Sequence, residues 1–139
     1  MKQFFQVTMC ILLVGTLLCA CGANFKAEAG PVAREMMNAL EQGDAEAAAK
    51  LMHPDAAEQI DDLDKSIASM IEFLDGRNTA ELKQTSVNIK NMVGTNAGKY
   101  ENGTFRAVLD DETVLKIEYT YLKNAAGSGF TSFYLSIGS

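Results

Sequence analysis

The sequence predicts an α+β domain, with three N-terminal helices packed on a curved, four-stranded antiparallel sheet in a cone-like arrangement. Three observations lead there. Apolar residues recur at helical spacing as far as Leu74. Past the "GRNTA" stretch at residues 76–80 the period drops to two. The four alternating segments that follow are separated by turn-forming residues, and each has one apolar face that needs a second layer to cover it. A chain of 139 residues, 47% of them hydrophobic, is enough for one such core.

The first twenty residues do not belong to that core. "MKQFFQ" carries Lys2 and the amino terminus, and Val7–Leu18 is a run of twelve uncharged residues ending at "CAC". A helix of that length rises about 18 Å, against a hydrocarbon core of about 30 Å, so the run is too short to span a bilayer. A charged start, a short apolar stretch and small residues before a cut compose an exported signal over residues 1–20. The exit, Leu18–Ala20–Cys21, resembles the lipobox of bacterial lipoproteins. The resemblance implies cleavage before Cys21 and a lipid on its thiol. Cys10 and Cys19 would leave with the signal, so no cysteine remains for a disulfide, a nucleophile or a metal. Removing the segment also removes Lys2 and takes the net charge of −6 one unit further negative. An acidic chain with no basic run is a poor nucleic-acid binder and is repelled by anionic lipid. The expected membrane contact is therefore the lipid anchor, at the cell membrane or, where one exists, the outer membrane.

Residues 21–30, the lipidated cysteine and "GANFKAEAG", form the expected tether, and residues 31–139 the domain. Pro31 suits a first helical turn. Val32, Met36, Ala39 and Leu40 share one face of the first helix. Gly43 is a stop and Asp44 an N-cap for a second helix, "AEAAAKLM". A third is expected to begin near Pro54 and to run on the stripe Ile60, Leu63, Ile67, Met70, Ile71 and Leu74, ending at Gly76. The strands are then expected at 84–93 (Val87, Ile89, Val93 inward), 104–109 (Phe105, Ala107, Leu109), 114–122 (Leu115, Ile117, Tyr119, Tyr121) and 131–137 (Phe133, Leu135, Ile137). "ENG" at Glu101–Gly103 and "DDE" at Asp110–Glu112 read as turns, and "NAAGSG" as a hairpin loop.

The stretch "VAREMMNALEQGDAEAAAKLMHPDA" resembles the opening of the nuclear-transport-factor-2-like superfamily, which includes SnoaL-like and ketosteroid-isomerase-like proteins. "EFLDG" and "LKIEYTYLKNAAGSGFTSFYLSIG" resemble small bacterial lipoproteins carrying a domain of unknown function. The resemblance implies a cone-like fold and a lipoprotein habit, and no particular activity.

Chemistry is sparse. His53 is the single histidine, and at a helix junction it reads as a cap or surface residue. Asp61–Asp64, "DDLD", lacks the glycine and the terminal glutamate of a calcium loop and reads as a solvated helix face. No metal or cofactor is expected. The apolar strand faces are expected to hold no acid, lysine or histidine, only Thr85, Asn91, Thr131, Tyr119 and Tyr121 as polar members. Asp64, at the edge of the third helix's stripe, is the one carboxylate placed to reach Tyr119 or Tyr121. These three residues are the candidate ligand-binding set, and they would serve an isomerase- or dehydratase-like enzyme with an interior pocket. The favoured reading is a non-catalytic binding or accessory module that meets an envelope protein or a small apolar ligand. The expected anchor is tested by metabolic labelling with a palmitate analogue: wild type should take up label and Cys21→Ser none, and label persisting on the variant would refute the assignment.

Overall fold

The computed structural model describes residues 27–59 and 62–138. The expected signal, all three cysteines and most of the expected tether lie outside the described residues. Among the described residues four helices precede four strands: α1 (Ala29–Glu41), α2 (Ala45–Lys50), α3 (Pro54–Gln59), α4 (Leu63–Leu74), β1 (Thr79–Met92), β2 (Gly98–Leu109), β3 (Val114–Asn124) and β4 (Gly127–Ile137). The strands form one antiparallel sheet in the order β1-β2-β3-β4.

Helix α1 begins at Ala29, so the domain takes Ala29 and Gly30 from the expected tether. It buries Ala29, Ala33, Met36, Met37, Ala39 and Leu40, while Val32 sits at the margin of that face. Its end is built as the sequence suggests. Gly43 adopts a φ of 67°, its N–H bonds to the Leu40 carbonyl (3.2 Å), and the Asp44 N–H reaches back to Ala39 (2.9 Å). This closes the helix with two of its orphan carbonyls satisfied. Asp44 then caps α2 by accepting from the Ala47 N–H at 3.0 Å.

The expected third helix is two. α3 ends at Gln59 and α4 begins at Leu63, with Asp62 as its N-cap at a φ of −152°, its side chain accepting from the Lys65 N–H at 3.0 Å. Part of the "DDLD" run is thus a helix start instead of a continuous solvated face. Ile67 and Leu74 are buried, and Leu63, Met70 and Ile71 are half-buried against the core. Arg77 closes α4, its guanidinium bonding the Phe73 and Leu74 carbonyls at 2.7 and 2.9 Å.

The sheet departs from its expected outline in three places. "ENG" lies inside β2, not at a turn; the turn is at "DDE", between β2 and β3. "NAAGSG" contracts to a two-residue turn at Ala125 and Ala126, because Asn124 and Gly127 pair directly. β1 begins at Thr79, ends before Val93, and leaves Val93 92% exposed. Val87 does share a face with Phe105 by register, yet it is 47% exposed, since its cross-strand partner is Gly103, which offers nothing to pack on. Register shifts at Gln84/Ser86 and at Thr120/Tyr121 leave Thr85 and Thr131 as extra residues. They therefore leave the inward face: the Thr85 hydroxyl meets Thr104 Oγ1 at 2.6 Å, and Phe130 goes inward beside Tyr121. Ile137 ends the strand 65% exposed.

The core lies between the helices and one sheet face. Its centre is aromatic: Phe130 packs edge-on to Tyr119 and Tyr121 (centroids 6.0 and 5.3 Å), and Phe105 and Phe133 flank the group at 4.9 Å contacts. Leu51–His53 runs beside the start of β4, with the Phe130 N–H bonding the Leu51 carbonyl (3.0 Å) and the His53 N–H bonding the Phe130 carbonyl (2.8 Å). Here the two backbones approach closely because residue 129 is glycine. A Cβ at Gly129 would stand 2.5 Å from the His53 nitrogen. Gly129→Ala is therefore expected to destabilise the fold by about 1–3 kcal/mol, the usual range for overpacking. Chemical denaturation of wild type and variant measures it, and equal midpoints would contradict the close approach.

Candidate functional site

The most unusual group in the described structure is a carboxylate that the sequence reading placed in a turn. Glu101 is 1% exposed and lies on β2, opposite Ile89 on one side and Tyr121 on the other. It has the parity of Phe105, Ala107 and Leu109, so it points into the core. The expectation that no acid occupies the inward faces therefore fails at this residue. A signal was available: the alternation that runs back from Leu109 through Phe105 reaches Glu101 two steps further on. The turn-forming Asn102 and Gly103 concealed it.

Glu101 is satisfied from two sides. The Tyr119 hydroxyl donates to its Oε2 at 2.7 Å. The Glu28 N–H donates to Oε1 at 2.6 Å, and the Ala29 N–H reaches both oxygens at 3.3 Å. Those N–H groups are the open start of α1, whose own N-cap residue, Glu28, makes no side-chain capping bond. The cap is instead supplied from the sheet, where a negative group also complements the positive end of the helix dipole. The Gln84 amide completes the chain by donating to the Tyr119 hydroxyl at 2.6 Å. On the outer side the Glu28 carboxylate lies 3.8 Å from Lys99 and 3.4 Å from Lys123.

Burial, reinforced by the Glu101 carboxylate as hydrogen-bond acceptor and neighbouring charge, pushes the Tyr119 phenol well above its ordinary value of 10.0; the Gln84 amide opposes this in part. The hydroxyl is held as a donor. With the Gln84 amide on Tyr119, and with Tyr119 and two N–H groups on Glu101, the cluster ties β1, β2 and β3 to the start of α1.

The other candidates are placed as follows. Tyr119 and Tyr121 are both in the core, as their parity predicts. Asp64 is exposed in the first turn of α4, and the acid at the Tyr119 hydroxyl is Glu101. Cys21 lies outside the described residues. His53 is a cap, but a buried one at 1% exposure. Its Nδ1 accepts from the Asp55 N–H (3.0 Å) at the start of α3, which assigns the other proton to Nε2, facing Asn124 Oδ1 at 2.9 Å. It ties α3 to the β3–β4 turn. Among the described residues no three His, Cys, Asp or Glu side chains converge as a metal site, and no described helix is long and apolar enough to cross a membrane.

Described residues line two surface depressions. One, of about 340 Å³, lies between α4 and β4 and is lined by Ser66, Ser69, Met70, Phe73, Phe133 and Leu135, with Tyr134 at its rim. The other, of about 480 Å³, lies on the outer sheet face. No protein family, curated protein or solved structure matches the chain.

Tyr119→Phe removes one hydrogen bond to a carboxylate and leaves the Gln84 amide unpaired. The expected cost is about 1–3 kcal/mol. The variant also has a pH signature. In the unfolded chain Tyr119 loses its proton near the ordinary 10.0, whereas the folded protein holds it to higher pH. The unfolded state then binds fewer protons, so this contribution is intact below pH 10 and falls away as pH rises above it. Denaturation between about pH 8 and 11 should show a steeper alkaline loss for wild type than for Tyr119→Phe. Parallel curves would refute the shift.

Proposed function

We propose that this chain is a lipid-anchored, non-catalytic accessory module of the bacterial cell envelope, exported and held at the cell membrane or outer membrane through Cys21, and that it binds a protein partner along the edge of β4. The observation that carries this reading is an edge strand, β4, that carries no charge and lies beside an apolar groove. Among the described residues β4 has β3 on one side, and on the other the short Leu51–His53 segment and α3 near its start. The remainder, Thr131–Ile137, reads "TSFYLSI", without a charge or a proline. Edge strands usually carry such residues to prevent pairing. Beside it lies the apolar groove floored by Met70 and Phe73 of α4 and Phe133 and Leu135 of β4.

An extended, uncharged segment of another protein fits both features. Its backbone would pair with β4, and alternate side chains would enter the groove. The helix-covered antiparallel sheet also supports the cone-like, nuclear-transport-factor-2-like architecture in this reading. With α1 starting at Ala29, residues 22–27 would be the free link to the anchor, reaching at most about 20 Å. The partner would then lie close to the membrane surface.

The test is photocrosslinking from position Ser69 of the membrane-anchored protein. A discrete adduct with a different protein is expected, and it should vanish when Ile137→Lys places a charge at the exposed end of the edge. An adduct of twice the chain's own mass, or one indifferent to Ile137→Lys, would overturn the partner reading.

A further inference from the structure

The sheet face turned away from the helices carries an ordered set of side chains that the pairing register assembles from all four strands. Lys83 stands opposite Arg106, Arg106 opposite Lys116, and Lys116 opposite Ser136. One step along the strands the row is Ser86, Thr104, Glu118 and Tyr134. The next is Asn88, Asn102, Thr120 and Ser132, again in direct register across the whole sheet. The second and third rows line the 480 Å³ depression. Tyr134 is 66% exposed at its border.

Two features of this face call for a ligand chemistry. The first is charge. The protein is acidic overall, at −6, yet on this face Lys83, Lys90, Arg106 and Lys116 are opposed only by Glu81 and Glu118. Glu118 is engaged with Lys116 at 3.0 Å. The Lys83 and Arg106 side chains have no hydrogen bond or ion pair among the described residues, and both are exposed. The second is the neighbouring polar surface, which consists of amides and hydroxyls. These groups both donate and accept. A nucleic acid would call for a denser field of cations. An acidic sugar calls for a few cations beside paired donors and acceptors, and an exposed ring to stack on.

We propose that the helix-free face of the sheet binds an anionic glycan of the uronic-acid type, with Lys83 and Arg106 holding its carboxylates and the Asn88–Asn102–Thr120–Ser132 row holding its hydroxyls. The spacing supports it. Successive strands lie about 4.8 Å apart, close to the length of one pyranose ring, so an acidic sugar chain lying across β1 and β2 has carboxylates within reach of Lys83 and Arg106. The Arg106 guanidinium can take a carboxylate as a two-pronged pair. Rings lying over the second row meet the hydroxyl cluster of Ser86 and Thr104, joined at 2.9 Å, and the Tyr134 ring. This surface differs from the β4 edge, and its occupation does not depend on the protein-partner reading.

The experiment is calorimetric titration of the full-length protein in a non-ionic detergent with an oligogalacturonate. Dextran serves as a neutral sugar, and poly-glutamate and polyphosphate serve as anions without sugar. The oligogalacturonate should bind, and each control about tenfold more weakly or worse. Lys83→Gln with Arg106→Gln should weaken oligogalacturonate binding by about tenfold or more. Asn102→Ala with Ser132→Ala should weaken it severalfold. All four side chains lie on the outer face, so thermal unfolding should match wild type. The proposal is overturned if oligogalacturonate does not bind, if poly-glutamate or polyphosphate binds as well, if dextran binds as well, or if the Lys83–Arg106 pair can be neutralised without effect.

Discussion

A carboxylate buried at the meeting of helix and sheet must be matched by donors, because an unmatched charge in that position would cost several kcal/mol. Glu101 is matched by the first N–H groups of α1 and by the Tyr119 hydroxyl. That requirement ties the start of α1 to β2 and engages the Tyr119 hydroxyl. The opposite end of α1 is fixed in the same manner: Glu41 Oε1 accepts from the Thr79 N–H at 2.6 Å, where β1 begins. A helix pinned to the sheet at both ends by carboxylates gives the aromatic cluster a fixed ceiling. It also gives the chain a fixed point of entry, since Glu28, the residue before α1, is held from outside by Lys99 and Lys123.

The matched carboxylate in the core shifts attention to the two surfaces. In a cone with an open centre, Tyr119 and Tyr121 would line a cavity and an acid among them would be a base in waiting. Here Phe130 stands against both rings, and the acid is spent on capping a helix. The two surfaces proposed for recognition lie outside the core, in an uncharged edge strand beside an apolar groove and in a polar sheet face with cations. The groove and the outer depression have Tyr134 in common. Both arise from the same asymmetry, in which the described helices cover one face of the sheet and leave its far face without a second layer.

Much of this was legible in the residues. The helical period through Leu74, the stop at Gly43, the cap at Asp44 and the alternation of β3 all follow from local chemistry, and α1, α2 and β3 carry them out. So do the inward directions of Tyr119 and Tyr121, because parity within a strand is a local property. Three things were not local. The break between α3 and α4 interrupts an apolar stripe that continues in phase across it. The bulges at Thr85 and Thr131 change strand phase through a pairing partner that the sequence does not name. The burial of Glu101 depends on a helix start seventy-two residues away in the chain.

The rows on the outer sheet face make the same division. That Lys83, Arg106 and Lys116 each point away from an apolar neighbour is readable from alternation, and the absence of any basic run is readable too. That the three stand side by side is not, because register between strands is set by turn lengths and bulges. Sequence alone therefore determined the element types, their order and the direction of most side chains, since these depend on neighbours within a few positions. Tertiary structure decided which carboxylate is buried, which edge is left free and which cations become a group, since each depends on residues brought together only when distant segments pair.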